Sequence, residues 1–542
     1  MKVIIIGGVA GGMSAATRLR RLDEHADIVV LERGHHVSYA NCGLPYHLGG
    51  VIPDRDALLV QTPQSLHDRF RIDVRTRHEA LCVDPAARTL TIRDLETGTE
   101  TTEHYDHLVL SPGARPIVPP LPGAERGLTL RDVTDTDTVQ AALDGGARTA
   151  VVIGGGFIGV EVAENLSHRG LAVTLVERAD QVLAPLDPEM ARPLADELTA
   201  HGIGLRLGTQ AAKILPDTVE LADGTALPAD LVIFAIGVRP ETRLAREAGL
   251  ALGPCGGIAV NEHQRTSDPR IHAVGDATEK ADRLTGEPVL IPLANLANRH
   301  GRLVADAITG RPVRSRPAVG TAIVQVFTLT AAATGWNEKR LRAAGRPHRV
   351  LHLHPAHHAG YYPGAARLAL KLLIDPTTEA VLGAQAVGTE GVDKRIDVLA
   401  TAITAGLTAP ELADLELAYA PPYGSAKDPV NMAGYIADNL ATGTVRSLQW
   451  HELPAATEAG ALLLDVRTAA EYQAGAIPGA RHVPLDDLRA HHTELPTDRQ
   501  IVVYCHAGLR GHTATRLLTQ HGHTATNLDG GYLTWHTATR TP

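Results

Sequence analysis

At 542 residues the chain is long enough for three or four domains, because a single hydrophobic core stops growing at roughly 250–300 residues. Its 44% hydrophobic and 21% charged residues are ordinary for a globular protein. The net charge of −10 argues against a general nucleic-acid-binding protein, and no apolar run reaches the length of a membrane-spanning helix. We therefore expect no nucleic-acid and no membrane partner. The four cysteines show no disulfide-like spacing, so we expect the protein in the reducing cytoplasm.

The first predicted element is an apolar strand that runs into a glycine-rich turn. Strand 3–6 precedes a helix to about Leu22 and a second strand, Asp27–Glu32, which ends in an acid. Glycines permit close approach of a pyrophosphate, the helix N-terminus supplies amides, and the terminal carboxylate accepts hydrogen bonds from ribose hydroxyls. The residues expected to contact a dinucleotide here are Gly7, Gly8, Ala10, Gly11 and Glu32.

The same pattern recurs near the middle of the chain. Strand 150–153 precedes a glycine turn, a helix to about His168 and a strand that ends in Glu177. One such pattern is weak evidence, because glycine turns also serve packing alone, but two are hard to obtain by chance. A later strand, 270–274, leads into a Gly-Asp pair and a predicted helix over 295–307, so the first domain is expected to be interrupted by the second. The further dinucleotide-binding candidates are Gly154, Gly156, Gly159, Glu177, Gly275 and Asp276.

Together these motifs resemble the flavoprotein disulfide reductases with two dinucleotide-binding domains, over roughly residues 1–435. The resemblance implies that the first turn, with Glu32, and the later Gly-Asp segment hold FAD, while the second turn takes NAD(P)H. Glu177 favours NADH because it would repel a 2′-phosphate, although Arg178 leaves use of NADPH open. The resemblance also implies a dimerisation domain over about 320–437, and therefore a homodimer.

Cys42 lies in the segment Ser-Tyr-Ala-Asn-Cys-Gly-Leu-Pro-Tyr, which begins at Ser38. No second cysteine stands close by in sequence as a local redox pair, so oxidised Cys42 must form with an exogenous thiol, a persulfide sulfur, a peroxide oxygen or a distant cysteine. The segment resembles the single-cysteine branch of the family, which comprises coenzyme A-disulfide reductases, NADH oxidases and peroxidases, and coenzyme A-persulfide reductases. The branch implies a resting Cys42–coenzyme A mixed disulfide or a sulfenic acid.

A basic helix face favours coenzyme A among these substrates. Ser14, Arg18 and Arg21 stand at i, i+4 and i+7 of the first helix, where two guanidiniums suit the 3′-phosphate-ADP of coenzyme A. A solvated basic face is the alternative interpretation. With the matches that the resemblance implies, the substrate-binding candidates are Ser14, Arg18, Arg21, Ser38, Asn41, Arg71 and Lys427.

Two tyrosine-bearing segments resemble those of the same branch, in which tyrosines of the partner subunit reach the flavin and the sulfur. Tyr361 and Tyr419 are the candidates for donating a proton to a departing thiolate. Tyr362 is expected to pack in the core, and the role of Tyr423 is open. The cysteines outside any motif, at 82 and 255, are expected to be buried and structural.

The last ninety residues resemble a rhodanese domain. Cys505 follows the apolar strand Ile501–Tyr504 and begins the loop Cys-His-Ala-Gly-Leu-Arg, where loop amides and a following helix over 513–518 are expected to stabilise a thiolate and then a persulfide. Arg510 adds positive charge. Gly511 departs from the serine or threonine of many members, which leaves donor specificity open. A buried ion pair between Asp465 and Arg467 is also predicted.

The predicted fold class is α/β, with two Rossmann-like FAD- and NAD(P)-binding domains, an α+β dimerisation domain and a C-terminal rhodanese-like α/β domain. The expected activity is FAD-dependent reduction of coenzyme A disulfide, coenzyme A persulfide or polysulfide by NAD(P)H at Cys42, coupled to sulfur transfer at Cys505. The alternatives are an NADH oxidase or peroxidase that uses a cysteine sulfenic acid, and a redox-sensing sulfur-relay protein. No metal site is expected. The predicted domain limits are 1–112 with 236–315 for FAD, 113–235 for NAD(P)H, 316–440 for dimerisation, 441–448 for a linker and 449–542 for rhodanese.

Overall fold

The computed structural model describes residues 1–540. By its internal contacts the chain forms two compact units. The first consists of Met1–Asp180 and Gly202–Gly320, and the second of Gln181–His201 and the chain from Thr321 onward. The last two residues of the predicted rhodanese domain, 541–542, lie outside the described residues.

The first unit contains two parallel sheets, each built around one of the glycine-turn strands. Their strands are apolar runs buried on both faces, as expected for parallel sheets covered by helices. The interruption predicted from the sequence is visible, because the strand from the returning segment pairs beside His107–Leu110. In sheet order, the strands are Ile271–Ala273, His107–Leu110, Lys2–Ile6, Asp27–Glu32 and Asp73–Thr76 in one sheet, and Gly204–Arg206, Ala172–Val176, Thr149–Ile153 and Leu231–Phe234 in the other.

Smaller antiparallel pieces and helices complete the first unit. The antiparallel strands are His78–Asp84, Thr89–Asp94 and Glu100–His104; Ala211–Ile214, Thr218–Leu221 and Ala226–Pro228; Ala114–Pro116 with Val238–Pro240; and Lys280–Ala281 with Pro288–Val289. The α-helices are Ala10–Leu22, Leu44–Leu48, Pro63–Phe70, Val133–Asp144, Phe157–His168, Arg243–Glu247 and Ala294–Ile308, and the 3-10 helices are Asn41–Gly43, Arg55–Leu58, Ala124–Arg126 and Gly275–Ala277.

The second unit contains an antiparallel five-stranded sheet and a parallel five-stranded sheet. The antiparallel sheet has the order Ala322–Val326, Leu329–Gly335, Val381–Gly388, Leu368–Ile374 and Arg349–Leu353. The parallel sheet has the order Ser447–Leu448, Ala525–Leu528, Ile501–Tyr504, Leu462–Asp465 and Arg481–His482. Its first strand falls within the predicted linker, because residues 447–448 pair with residues 527–528 and so belong to the C-terminal sheet.

Helices cover both sheets of the second unit. The predicted helix over 513–518 is longer in the structure and begins at Leu509, directly after the Cys505 loop. The α-helices are Pro188–Ala200, Glu338–Ala343, Val392–Ala405, Pro429–Ala441, Leu453–Glu458, Ala469–Gln473, Leu485–His491, Leu509–Gln520 and Gly531–Thr539, and the 3-10 helices are Pro410–Asp414, Trp450–Glu452 and His492–Glu494.

These sheets and helices confirm the predicted α/β fold class, with two parallel dinucleotide-type sheets, an antiparallel sheet with helices and a C-terminal parallel sheet. The domain limits given above stay a prediction. Across residues 1–540, every helix is either too short or too polar to span a lipid bilayer.

The buried ion pair predicted in the C-terminal sheet is present. Arg467 Nη2 lies 2.7 Å from Asp465 Oδ2, and both side chains are almost fully buried. The guanidinium also lies over the ring of Tyr532, 4.3 Å from its centroid, and donates to the carbonyl of Gly475. The pair therefore joins the end of one central strand to two neighbouring segments.

Replacing Arg467 by alanine is expected to destabilise the C-terminal domain by about 3–5 kcal/mol, because Asp465 would be left as an unpaired buried charge. Hydrogen exchange of the strand amides in Leu462–Asp465, measured in the full-length protein, reports this change. Arg481→Ala is the matched control, since its pair with Glu494 is exposed and should contribute less than about 1 kcal/mol. Equal protection in the two variants would contradict the prediction.

Candidate functional site

The first glycine turn has the geometry of a pyrophosphate cradle. A Cβ on Gly12 would collide with the carbonyl oxygen of Gly7, so the helix start can approach the turn only with glycine at this position. The Glu32 carboxylate accepts the N–H groups of Gly8 at 2.9 Å and Gly34 at 2.8 Å, one on each oxygen. A carboxylate oxygen has two lone pairs, so Glu32 keeps acceptor capacity for ribose hydroxyls. These residues fit the ADP half of FAD.

The second turn repeats this geometry. A Cβ on Gly159 would collide with the carbonyl oxygen of Gly154, and Gly156 is the N-cap residue of the following helix. Glu177 accepts the N–H groups of Gly155 at 2.6 Å and Ala179 at 2.8 Å. The pattern that recurs in the sequence is therefore repeated in the backbone geometry. It also gives the first unit a second site that fits a dinucleotide.

The predicted Gly-Asp segment forms a 3-10 helix directly after the strand of the returning segment. Gly275 has a φ of +77°, and its carbonyl accepts the Lys280 ammonium at 2.6 Å. Burial raises the pKa of Asp276. Burial also lowers the pKa of Lys280, to about 8, although Asp276 opposes this effect. Helix Ala294–Ile308 follows this segment. Its Gly301 packs against the backbone of Gly11, so this helix contacts the first glycine turn.

Cys42 lies in the first unit, in the short 3-10 helix Asn41–Gly43. Its thiol is exposed, and Sγ lies 3.8 Å from Asn41 Oδ1. Partial desolvation raises the pKa of Cys42, and the negative charges of Glu161 and Asp276 raise it further. Glu161 in turn accepts a hydrogen bond of 3.0 Å from the Tyr46 hydroxyl. The reduced cysteine is therefore held mainly as a thiol at neutral pH until a cation or cofactor alters these charges.

Replacing Glu161 by glutamine is expected to lower the pKa of Cys42, because a negative charge that opposes thiolate formation is removed. At any pH below the thiol pKa, the variant should then hold a larger thiolate fraction and react faster with iodoacetamide. The rate is followed against pH on the Cys42 peptide by mass spectrometry of the reduced protein. Asp223→Asn, an exposed change in a hairpin, is the control. An unchanged midpoint in Glu161→Gln would contradict the predicted charge effect.

The candidates for coenzyme A binding in the first unit differ in how they are held. Ser14 donates to Asn298 at 2.5 Å, and Arg18 donates twice to Asp306, at 3.1 and 2.7 Å. Arg21 is exposed, and among residues 1–540 no carboxylate lies within ion-pair distance of it. Asp306 balances the charge of Arg18, so Arg21 is the stronger candidate for a phosphate.

The remaining first-unit candidates lie on turns. Ser38 has a φ of +47° and its N–H donates to the carbonyl of Gly8, so it lies next to the first glycine turn. Asn41 is exposed beside Cys42. Arg71 ends helix Pro63–Phe70 in a left-handed conformation with its side chain exposed. Ser38 and Asn41 thus lie in the Cys42 segment itself, whereas Arg71 lies at the end of a separate helix.

In the second unit, Tyr361 and Tyr419 are brought together. Their hydroxyls lie 3.0 Å apart, and the hydrogen bond raises the pKa of Tyr361. Their side chains are 77% and 48% exposed, which fits residues presented to a partner or substrate. The core position expected for Tyr362 is wrong for the single chain, because its side chain is 42% exposed and lies edge-on to His358. Tyr423 and Lys427 are also exposed.

Cys505 is buried, at the carboxyl end of strand Ile501–Tyr504. Its Sγ accepts the Gly508 N–H at 3.2 Å, one of the loop-amide contacts expected from the sequence. The helix that begins at Leu509 starts directly after this contact. The sulfur therefore has a backbone donor and lies next to a helix N-terminus, an arrangement that stabilises a thiolate or a persulfide anion.

Arg510 faces this sulfur but shares its charge with a carboxylate. Its guanidinium makes a bidentate pair with Glu471, at 2.8 and 2.7 Å, and this pair lowers the pKa of Glu471 to about 2. The pKa of Arg510 is raised first by Glu471 and further by Cys505. Gly511 packs so closely on Asn527 that a side chain there would collide with the Asn527 amide oxygen. A serine or threonine at 511 would therefore require the Asn527 side chain to shift.

The other two cysteines do not follow the expectation. Cys82 and Cys255 are both exposed rather than buried, because each lies on a strand or turn at the surface of the first unit. The Cys255 thiol donates to the carbonyl of Pro288 at 3.3 Å. All four cysteines are free thiols in residues 1–540. The sequence carries no signal for their exposure, since it depends on how separate segments pack.

Several residues of these sites were not identified from the sequence. Glu161 and Tyr46 border Cys42, Lys280 binds the Gly275 segment, and Glu471 pairs with Arg510. For Glu471 the sequence contained a signal: Arg510, predicted at the Cys505 loop, needs a carboxylate partner once it is partly buried. Glu161 gave no signal, since it lies inside the second glycine-turn helix and 115 residues from Tyr46.

Comparisons with known proteins support this architecture. Residues 1–301 match the family described as pyridine nucleotide-disulphide oxidoreductase, residues 321–429 match its dimerisation domain, and residues 449–538 match the rhodanese-like domain. A coenzyme A disulfide reductase from Staphylococcus aureus (strain JH9) is 37% identical over 440 residues, which cover 80% of this chain and 99% of that protein.

Two solved structures cover nearly the whole chain. The crystal structure of reduced Bacillus anthracis CoADR-RHD has 47% identity and a TM-score of 0.98, and the match covers 99% of this chain and 98% of that one. A NAD-dependent persulfide reductase from A. fulgidus has 38% identity and a TM-score of 0.93, with coverage of 99% and 100%. With its two dinucleotide turns, its dimerisation sheet and its C-terminal rhodanese-like domain, the chain belongs to the pyridine nucleotide-disulphide oxidoreductase family.

Proposed function

We propose that the protein reduces coenzyme A disulfide or coenzyme A persulfide with NADH, with Cys42 as its redox cysteine and Cys505 as a sulfur acceptor. The observation that carries the proposal is an exposed Cys42 thiol in the same unit as two dinucleotide-type turns. The similarity to a coenzyme A disulfide reductase and to a persulfide reductase supports this choice of substrates. Reduction by NADH suits the reducing cytoplasm expected from the sequence.

The overall reaction takes two electrons and one hydride donor per turnover. Coenzyme A disulfide, NADH and one proton give two coenzyme A thiols and NAD⁺; coenzyme A persulfide, NADH and one proton give one thiol, hydrogen sulfide and NAD⁺. Cys42 first loses its proton, and its thiolate attacks one sulfur of the disulfide. A Cys42–coenzyme A disulfide forms, and a coenzyme A thiolate leaves with the electron pair of the broken bond and takes up a proton. Exposure of Cys42 permits this attack by an exogenous substrate.

FAD, when bound, would carry the electrons of NADH to the mixed disulfide. Glu32 and the first glycine turn would hold its ADP half, with the Gly275-Asp276 segment beside it. Glu177 and the second glycine turn would hold the adenosine of NADH. The buried Lys280 is fixed by the carbonyls of Gly275 and Thr278, so it keeps the Gly275 segment in place.

Proton delivery to the leaving thiolate is assigned to Tyr361 and Tyr419. The hydrogen bond between them raises the pKa of Tyr361, so this phenol stays protonated at neutral pH and can act as a donor. We place these tyrosines at the Cys42 site of a partner subunit in a homodimer, as in the single-cysteine branch. Arg21, Arg71 and Lys427, all exposed, are assigned to the phosphates of coenzyme A.

Sulfur transfer is assigned to Cys505. Its thiolate attacks the outer sulfur of a donor, a new S–S bond forms, and the rest of the donor leaves with the electron pair of the bond that breaks. The Gly508 amide and the start of the next helix would stabilise the resulting persulfide anion. Transfer of that sulfur to coenzyme A would generate the substrate of the reductase site.

Anaerobic assays of NADH oxidation with coenzyme A disulfide, coenzyme A persulfide and hydrogen peroxide test the proposal. We expect turnover with one or both coenzyme A substrates, and little with peroxide. Mass spectrometry of the oxidised protein should also show a coenzyme A adduct on Cys42. Turnover with peroxide alone, together with a sulfenic acid on Cys42, would show that the protein is a peroxidase instead.

NADH is expected to give a kcat/KM at least about tenfold above that of NADPH, because the Glu177 carboxylate can accept a hydrogen bond from a ribose hydroxyl and repels a 2′-phosphate. Glu177→Ala should reduce this preference, since the repulsion is removed while the glycine turn remains. Steady-state kinetics with both nucleotides measure the ratio. A preference for NADPH in the unaltered protein would overturn the assignment of Glu177.

A further inference from the structure

A buried cluster of charged side chains lies beneath the antiparallel sheet of the second unit. The Lys371 ammonium contacts the carboxylates of Asp187 at 2.9 Å, Glu189 at 2.5 Å and Glu338 at 2.6 Å. The three carboxylates are close enough together to hold a metal ion, but the ammonium already supplies the positive charge between them. These ion pairs therefore hold Lys371 and the three carboxylates in place inside this unit.

The cluster continues to the C-terminal domain through His352. The Nε2 atom of His352 lies 3.1 Å from Glu189, and its Nδ1 atom lies 2.6 Å from Asp529. Each ring nitrogen faces a carboxylate, which can only accept, so both must carry a proton. Burial alone would lower the pKa of His352, but the hydrogen bonds to Asp529 and Glu189 outweigh it and raise the pKa to about 9. His352 is thus a buried imidazolium at neutral pH.

Asp529 directly precedes the turn on which the Cys505 loop lies. Gly530 and Gly531 both have left-handed backbones, with φ of +65° and +63°. A Cβ on Gly531 would come within 2.9 Å of the Gly508 nitrogen and would crowd the Cys505 carbonyl. The turn therefore packs backbone-to-backbone against the loop, with no side chain between them.

Hydrogen bonds tie the turn and the loop together. The Tyr532 N–H donates to the Cys505 carbonyl at 2.8 Å, and the Leu533 N–H donates to the His506 carbonyl at 3.0 Å. One residue farther along, the Thr534 hydroxyl lies 2.7 Å from Nε2 of His354, which follows the strand that carries His352. The Cys505 loop is thus bonded to a turn, and that turn is bonded in its own right to His352 and His354, which belong to the antiparallel sheet of the second unit or directly follow it.

We propose that His352 is a positioning residue for sulfur transfer: by holding Asp529, it fixes the Gly530–Gly531 turn against the Cys505 loop. The proposal rests on the proposed function of Cys505. It means that the rhodanese-like domain depends for its active-loop geometry on a side chain of another domain. Displacement of a nucleophile or of its stabilising amides by about 1 Å can lower a rate by up to about a hundredfold.

Two substitutions of His352 separate its two hydrogen bonds. An asparagine amide nitrogen occupies the place of Nδ1, so His352→Asn retains a donor toward Asp529 and loses the one toward Glu189. A glutamine amide nitrogen occupies the place of Nε2, so His352→Gln retains a donor toward Glu189 and loses the one toward Asp529. Both variants lose the positive charge. They differ in which carboxylate keeps its partner and by one methylene of side-chain length.

Sulfurtransferase activity of the full-length FAD-loaded protein is measured with thiosulfate as donor and cyanide as acceptor. We expect kcat to fall roughly tenfold or more in His352→Gln, with a smaller change in the KM for thiosulfate, and to stay within about threefold in His352→Asn. Asp529→Ala should lower kcat at least as far as His352→Gln does, because it removes the acceptor for His352 and also the one for Gln449. The double variant should lose little more than Asp529→Ala alone, since the His352 contact is already broken. NADH-dependent reduction at Cys42 should stay unchanged in all of them.

Equal kcat values in the Asn and Gln variants would overturn the proposal, and so would losses that simply follow the midpoint of thermal unfolding. If both variants of His352 unfold, Asp529→Ala carries the test: an unchanged kcat would overturn the proposal, and a loss of about tenfold or more at an unchanged midpoint of thermal unfolding would support it. Cys505→Ala distinguishes a failure of the proposed function from a failure of the role of His352. If it retains sulfur transfer, the assignment of Cys505 fails; if it abolishes transfer while His352→Gln does not, only the role of His352 fails.

Discussion

Replacing Cys42 by serine is expected to lower the reduction of coenzyme A disulfide and coenzyme A persulfide by at least about a thousandfold. A serine hydroxyl is not ionised near neutral pH and cannot form a mixed disulfide, so the first bond-forming step is lost. FAD should remain bound and should still be reduced by NADH, because the residues assigned to both nucleotides are untouched. Anaerobic stopped-flow absorbance of the flavin, together with steady-state NADH oxidation, measures the two steps separately.

Cys82→Ser is the matched control for this variant. Cys82 is also an exposed thiol of the first unit, but it lies on strand His78–Asp84 outside the cysteine motifs. Its replacement should leave both flavin reduction and turnover within about twofold of the parent. Full disulfide-reductase turnover in Cys42→Ser would exclude the single-cysteine mechanism, and a comparable loss in Cys82→Ser would show that a second thiol takes part.

Replacing Cys505 by alanine is expected to abolish sulfur transfer from thiosulfate while reduction of coenzyme A disulfide continues near the parental rate. The sulfur acceptor is lost, but Cys42 and both glycine turns lie in the other compact unit. Persulfide reduction should fall only when the sulfur must enter through Cys505, so the effect should depend on the donor. Thiocyanate formation and NADH oxidation, measured on the same preparation, report the two activities.

The control for this second prediction is Cys255→Ala, which removes an exposed thiol outside any motif. It should change neither activity, since the hydrogen bonds of Cys255 within residues 1–540 join it to the carbonyl of Pro288 and, through its own N–H, to the Glu279 carboxylate. If Cys505→Ala leaves every sulfur-transfer and polysulfide rate unchanged, the C-terminal domain is a docking or structural module, and the proposed coupling of the two cysteines has to be abandoned.

The sequence alone determined the dinucleotide turns and both cysteine motifs. Each depends on residues that are close together in the chain: a glycine turn between an apolar strand and a helix, or a cysteine at the end of such a strand. Backbone geometry of this kind follows from local sterics, so Gly7, Gly154 and Cys505 occupy the predicted turns and loop. The Asp465–Arg467 pair, two residues apart, was accessible for the same reason.

The tertiary structure decided which charged side chains form ion pairs and which stay unpaired. Arg18 is paired with Asp306 across 288 residues, and Lys371, an isolated charge in the apolar strand Leu368–Ile374, finds Glu189 across 182 residues. His352 reaches Asp529 across 177 residues and thereby connects one domain to the active loop of another. Burial makes such pairs necessary, because an unpaired charge in the interior is costly. Which partner satisfies it depends on how distant segments pack, and no local pattern in the sequence records that.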